Sequence, residues 1–166
     1  MKTKVLGKKS KKLNFSGKDL LDSIPRNRKK IEHGIDIWNV YDFMFKDKKE
    51  VPHLKVLEII IPSNSKFIVE SKSMKLYLNS FYDIAFTNQS EILKKIKRDL
   101  KSLIKDDVKL RFIDKFSVEP KNINLNQSNC ETIQRRKIIK FNGFRSICPV
   151  TSQPDFANIY LSLIHI

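Results

Sequence analysis

Glycine is scarce in this chain, with four in 166 residues. Gly7, Gly17, Gly34 and Gly143 are spaced too widely to make a G-x-G-x-x-G turn or a phosphate-cradling P-loop, so any dinucleotide site here is not of the Rossmann type. Histidine is thin and scattered at His33, His53 and His165, and no Cys or His pair has zinc-ligand spacing, which argues against a metal centre. Cys130 and Cys148 allow one disulfide at most. Met1–Lys12 is basic and has none of the apolar stretch of a secretory leader, so a reducing compartment, the cytoplasm, is expected. No apolar run approaches the ~20 residues of a membrane-spanning helix, and a soluble protein is expected.

What is abundant is lysine. The formal charge is +15 and 40% of residues are hydrophobic, enough for a core of ordinary size. Clustered basic residues gain from releasing phosphate counterions, so a nucleic-acid-binding module is one reading of this charge. Lysine is enriched together with Ile and Asn, however, as an AT-rich coding sequence produces without selection for binding. That plainer explanation is preferred, and nucleic acid is not a required partner.

Residues 1–32 read as a mobile basic arm of minor structural role, settling near Pro25, with Leu20-Leu21-Ile24 as a short apolar patch. Leu54–Ile61 and Phe67–Val69 read as two strands joined by a turn at Pro62-Ser63-Asn64-Ser65. Met74, Tyr77, Leu78 and Phe81 fall at helical spacing after Glu70, although Met74-Leu76-Leu78 also fits strand alternation. A clearer helix begins at Ser90-Glu91, burying Ile92, Leu93, Ile96, Leu100, Leu103 and Ile104, with a solvated lysine face opposite. A strand over Val108–Ile113 continues toward Phe116 and Val118. Residues 119–134 form a polar linker, and a second module starts near Gln134, covering residues 135–160. The predicted class is α+β, with two helices on one face of an antiparallel sheet.

The stretch Cys148-Pro149-Val150-Thr151-Ser152-Gln153-Pro154-Asp155 joins a thiol to a carboxyl group seven residues later. A free thiol has a pKa of about 8.5 and needs a nearby proton acceptor or a favourable field to act as a nucleophile at neutral pH. Asp155 is suited to deliver a proton if burial keeps it protonated, and two prolines stiffen the loop. Taken alone, the same residues fit a small buried cysteine and a turn or helix-cap aspartate. Glu70, closing an apolar strand, is chemically able to accept paired N–H bonds from a guanine-like ring, and an exposed Glu–Lys pair at a strand–helix junction fits equally well. Aromatic residues alternate with lysines over Lys109–Phe116, as in a single-strand-binding face or simply a half-buried strand.

Taken together, the Cys148–Asp155 stretch and Glu70-Ser71-Lys72-Ser73-Met74-Lys75-Leu76-Tyr77-Leu78-Asn79-Ser80-Phe81 resemble the signature of the NADPH-dependent 7-cyano-7-deazaguanine reductases. These are the nitrile reductases of queuosine biosynthesis in tRNA modification. The order of the two stretches, and His33-Gly34-Ile35-Asp36-Ile37-Trp38, resemble the long two-module branch of that family. The resemblance implies a tunnel fold, with a first module over residues 33–118 and NADPH bound between subunits of a likely homodimer when full length. It also implies Cys148 as the thioimidate-forming nucleophile and Asp155 as the proton shuttle. Val69, Glu70 and Ser71 would bind the 7-deazaguanine, and Ser71 with Lys72 the NADPH. The reaction implied is reduction of the nitrile to an aminomethyl group by two NADPH, and a non-catalytic tunnel-fold module is the alternative. Members of this layout continue past the catalytic loop with a His-Glu pair and basic residues that have no counterpart here. A C-terminally truncated reductase, inactive alone, is therefore expected, with Leu161–Ile166 as a tail of non-native character.

Overall fold

The computed structural model describes residues 17–26, 33–127, 137–148 and 151–162 of the chain. It divides into two compact units, residues 1–115 and 116–166.

In the first unit a single 3-10 turn, Gly17–Leu20, leads into β1, Ser23–Pro25. Then come β2, Ile35–Asp47; β3, Pro52–Pro62; and β4, Phe67–Val69. Helix α1, Ser71–Asn79, runs into a second 3-10 turn, Ser80–Asp83, and is followed by β5, Ala85–Phe86; α2, Gln89–Ile104; and β6, Lys109–Ile113. The principal sheet has the order β5-β2-β3-β6 and is antiparallel except where β5 runs parallel to β2. Strands β1 and β4 form a separate antiparallel pair.

Strand β2 is the longest element of the sheet, and the sequence reading did not anticipate it. Its inward positions are Asp36, Trp38 and Val40 before a bulge, and Phe43 and Phe45 after it, because Val40 pairs with Leu57 while Phe43 pairs with Lys55. The extra residue shifts the alternation by one, so no single period of two runs through Ile35–Phe45. At the far end Asp47 closes the turn to β3, its Oδ1 accepting from the N–H groups of Lys49 (2.8 Å) and Val51 (3.0 Å).

The core lies between one sheet face and the two helices. Phe43, Phe45, Leu57, Ile59 and Ile61 meet Met74, Tyr77 and Leu78 of α1 and Ile92, Ile96, Leu100 and Ile104 of α2. Phe81 sits at the centre, edge-on to Tyr77 at 5.2 Å and stacked on Phe86 at 5.6 Å. The opposite sheet face carries Ile35, Ile37 and Leu54, each more than half exposed. The cap of α2 lies two residues before the expected start: Asn88 Oδ1 accepts from Glu91 N–H at 2.9 Å, and Glu91 accepts in return from Thr87 N–H at 3.1 Å.

Several expectations change. Residues 17–26 are not a peripheral arm, since Leu20 and Leu21 are buried in the core and β1 pairs with β4. Residues 1–16 and 27–32 lie outside the described residues. Strands β3 and β4 exist, but not as a hairpin, because their partners lie in different sheets. Strand β6 ends at Ile113, short of Phe116 and Val118. The polar stretch after Glu119 contains β7, Asn122–Asn124, and a 3-10 turn, Leu125–Gln127.

The second unit is a three-stranded sheet in which β7 runs parallel to β8, Ile138–Ile147, and β8 is antiparallel to β9, Pro154–Ser162. Leu161 and Ser162, set apart above as the start of a tail, belong to β9 and pair with Ile139 and Ile138. Residues 163–166 are outside the described residues. The architecture is thus α+β with mixed rather than purely antiparallel sheets. Among the described residues no helix is long and apolar enough to cross a membrane.

Candidate active site

Glu70 is where strand β4 becomes helix α1. Its backbone is extended (φ −72°, ψ 131°), which makes it the N-cap residue, and its carboxylate folds back over the first turn. Oε1 accepts from Lys72 N–H and Oε2 from Ser73 N–H, both at 2.8 Å. Glutamate is an uncommon cap, but here its longer side chain reaches two of the amide donors that a helix start leaves unsatisfied, and its charge lies at the positive end of the helix dipole.

The cap is buttressed from the N-terminal segment. Ser73, fully buried, donates from Oγ to Glu70 C=O at 2.8 Å and accepts from Asp22 N–H at 3.0 Å. Glu70 N–H in turn donates to Asp22 C=O at 2.9 Å. Glu70 is therefore a buried carboxylate held in one orientation, not the exposed member of a Glu–Lys pair that the local sequence pattern would equally have fitted. The Ser71 hydroxyl also donates to Oε1, at 3.4 Å, and since a carboxylate offers about four acceptor sites these three bonds leave room for a further donor. Ser71 is exposed beside it, Lys72 is half-buried, and Val69 is buried at the end of β4.

Two cavities open next to this junction. One, of about 320 Å³, is lined by Val69 together with Arg26, Asp36, Trp38, Ile61 and Ile68. The other, of about 200 Å³, includes Ser71, Asp42, Lys75 and Asn79, and Trp38 lines it as well. The sequence reading gave Arg26, Asp36 and Trp38 no role. The available signal was the chain's one tryptophan, two residues after Asp36.

In the second unit, Cys148 directly follows β8 and Asp155 is the second residue of β9. The connecting loop is closed by two backbone bonds of 2.9 Å, Cys148 N–H to Gln153 C=O and Ser152 N–H to Cys148 C=O. Ser152 takes the left-handed conformation, with φ 57°. Asp155 pairs with Ser146, two residues before Cys148, so strand alternation puts Cys148 and Asp155 toward the same face of the hairpin. Cys148 is half-buried and Asp155 exposed. Cys130, Pro149 and Val150 lie outside the described residues.

Residues 17–112 match the family described as nitrile reductase, 7-cyano-7-deazaguanine-reductase N-term. The chain is 33% identical over 187 residues to the NADPH-dependent 7-cyano-7-deazaguanine reductase of Rickettsia bellii (strain OSU 85-389), covering 94% of this chain and 68% of the relative. It is 30% identical over 167 residues to the protein of the same name from Buchnera aphidicola subsp. Schizaphis graminum, covering 82% of this chain and 64% of the relative. With the Coxiella burnetii (strain Dugway 5J108-111) protein of that name it is 30% identical over 175 residues, with coverage of 84% and 61%. The chain thus spans 61 to 68% of the length of these relatives. The chain belongs to the NADPH-dependent 7-cyano-7-deazaguanine reductase family.

Proposed function

We propose that the protein reduces the nitrile of 7-cyano-7-deazaguanine to an aminomethyl group with NADPH as reductant. The observation that carries this reading is the family match over residues 17–112, joined to the Cys148–Asp155 hairpin. The Cys148 thiolate adds to the nitrile carbon. A C–S bond forms, one C–N π bond opens, and the nitrogen takes a proton, giving a covalent thioimidate. Asp155, toward the same face as Cys148 and exposed in the unliganded chain, relays that proton and those that follow from solvent once bound substrate covers it. Two hydrides, the chemistry that NADPH supplies when bound, take the carbon to the amine level, and the C–S bond breaks so that the thiol is recovered.

Glu70 orients the base by accepting its N–H edge alongside the helix amides, with Val69 and Ser71 on either side. The exposed Ser71 hydroxyl and the Lys72 ammonium, at the positive end of α1, form a donor set that suits an anionic dinucleotide. The same reading assigns a tunnel-fold module to about residues 33–118, supported by a largely antiparallel sheet with both helices on one face. A homodimer belongs to it too, and the exposed Ile35, Ile37 and Leu54 on the helix-free face supply apolar surface for such a contact.

The test is incubation of the protein, in a version spanning the full length of the relatives, with 7-cyano-7-deazaguanine followed by intact-mass and peptide analysis. A covalent adduct at Cys148, absent in Cys148→Ala, is expected, and Asp155→Asn should slow reduction by roughly 10²–10⁴-fold. An adduct at Cys130 instead, or turnover that survives Cys148→Ala, would overturn the assignment.

A further inference from the structure

Trp38 sits on the inward face of β2, half-buried against the core, and lines both cavities at the β4–α1 junction. It is the only tryptophan of the chain. We propose that Trp38 contacts the flat heterocycle of the substrate, forming with Ile61, Ile68 and Val69 the apolar wall of a cavity whose polar rim, Arg26 and Asp36, meets the base edge. The proposal rests on the reading of the site given above and deepens it by assigning residues that the reading leaves without a role.

Three observations carry it. First, the cavity of about 320 Å³ has the size and make-up of a small-molecule site, with apolar walls and few polar groups. Second, its wall includes Val69, the last residue of β4 and the one that precedes the capped Glu70. Third, the rim is held in place from both sides. Arg26 pairs through Nη2 with Oδ2 of Asp36, and its Nε donates at 3.2 Å to Oγ of the buried Ser65. Ser65 Oγ donates in turn to Phe67 C=O at 2.9 Å. This arrangement leaves Asp36 Oδ1 as an acceptor and Arg26 Nη1 as a donor. A guanine-like base carries a carbonyl oxygen beside the N–H donors that Glu70 takes, and the Arg26 donor is the complement of that oxygen. An indole face adds a stacking surface for a planar bicycle.

Because Trp38 is the chain's single tryptophan, its fluorescence, excited where tyrosine does not absorb, reports this site alone. The chain is titrated with 7-cyano-7-deazaguanine, with free N-acetyltryptophanamide as the control for absorption by the ligand, and binding is measured in parallel by equilibrium dialysis. Saturable quenching or a spectral shift is expected, with a midpoint equal to the dialysis Kd. Trp38→Ala should weaken binding roughly ten- to a hundredfold, the range that loss of a base–aromatic stack produces, and Trp38→Phe only a few-fold. Thermal melting of each variant shows whether it is folded, and the wild-type titration stands without any variant. If dialysis shows binding while Trp38 emission is unchanged and Trp38→Phe and Trp38→Ala keep the wild-type Kd, this inference fails and the reductase reading stands. If no base binds and Cys148 forms no adduct, both fail together.

Discussion

The hydroxyl of Tyr77 donates to Oδ2 of Asp99 at 3.0 Å, tying α1 to α2 inside the core. Tyr77 is fully buried and the Asp99 side chain is 3% exposed, while Arg98 Nε at 3.1 Å and Lys95 Nζ at 3.8 Å bring positive charge to the same carboxylate. The hydrogen bond fixes the helix that displays Ser71 and Lys72 relative to the helix behind it. Tyr77→Phe and Asp99→Ala should each destabilise the protein. The double variant should cost less than their sum by about 1.5–3 kcal/mol, the value of a hydrogen bond to a charged acceptor. Urea unfolding of the four proteins measures the coupling, and strict additivity would show that the contact contributes nothing.

The same pair makes stability depend on alkaline pH. Burial, with the charge of Asp99 added to it, pushes the Tyr77 phenol well above its ordinary range near 10. A group whose folded pKa is raised contributes stability that is complete below the unfolded pKa and is lost as pH rises above it. The protein should therefore lose stability above about pH 10, where an unfolded tyrosine ionises and the buried one does not. Lysines titrate in that window too, so the comparison is with Tyr77→Phe, whose melting temperature should fall less steeply between pH 9 and pH 11, taken as roughly one unit either side of that pKa. Parallel curves for the two proteins would refute the assignment.

Glu70 and Lys72 are adjacent in space but assigned to different ligands. Glu70→Ala removes the acceptor of two amide bonds, costing about 0.5–2 kcal/mol of stability as a lost helix cap, and should weaken binding of the base by a further ~1–3 kcal/mol. Lys72→Ala should leave melting nearly unchanged and weaken NADPH instead. Glu70→Gln keeps one acceptor oxygen and should fall between wild type and Glu70→Ala in both stability and base affinity. Separate dissociation constants for base and NADPH check the division, and equal losses for both ligands in both variants would contradict it.

What the sequence made legible follows from where one physical signal dominates. The period of α2 stands out because Ile92, Ile96, Leu100 and Ile104 are buried against lysines on the opposite side, and α1 was legible from Met74, Tyr77 and Leu78. Strand β2 was not legible, because its bulge between Val40 and Phe43 breaks the alternation and because Ile35 and Ile37 are apolar on the exposed face. The β1–β4 pairing was hidden because three-residue strands carry almost no pattern; its partner is chosen by tertiary contacts of Leu20, Leu21 and Ser73. At the candidate site, motif similarity named Glu70, yet composition and spacing gave no indication that its carboxylate caps its own helix. That is a property of the β4–α1 corner and of Asp22, far away in sequence.

The two units should differ in stability. Among the described residues, Ile139 is the only buried apolar side chain of the second unit, whereas the first holds the whole hydrophobic core cluster. Phe156 is 73% exposed, Ile147 55% and Leu161 54%, and among the described residues β9 is an edge strand, the kind of apolar edge that invites association. The Lys140–Glu119 contact at 2.8 Å ties β8 to the segment before β7, but both groups are at the surface, where such pairs contribute little. Hydrogen exchange on the expressed chain should therefore show β8 and β9 opening well before β3 and α2, through local opening rather than global unfolding. Added mild denaturant should accelerate exchange in the first unit much more than in the second, and the protein should associate through the second unit as concentration rises. Uniformly strong protection across residues 137–162, matching that of α2 in a monomeric chain, would show that the hairpin carrying Cys148 and Asp155 is as firmly built as the helical unit and that burial alone does not rank the two.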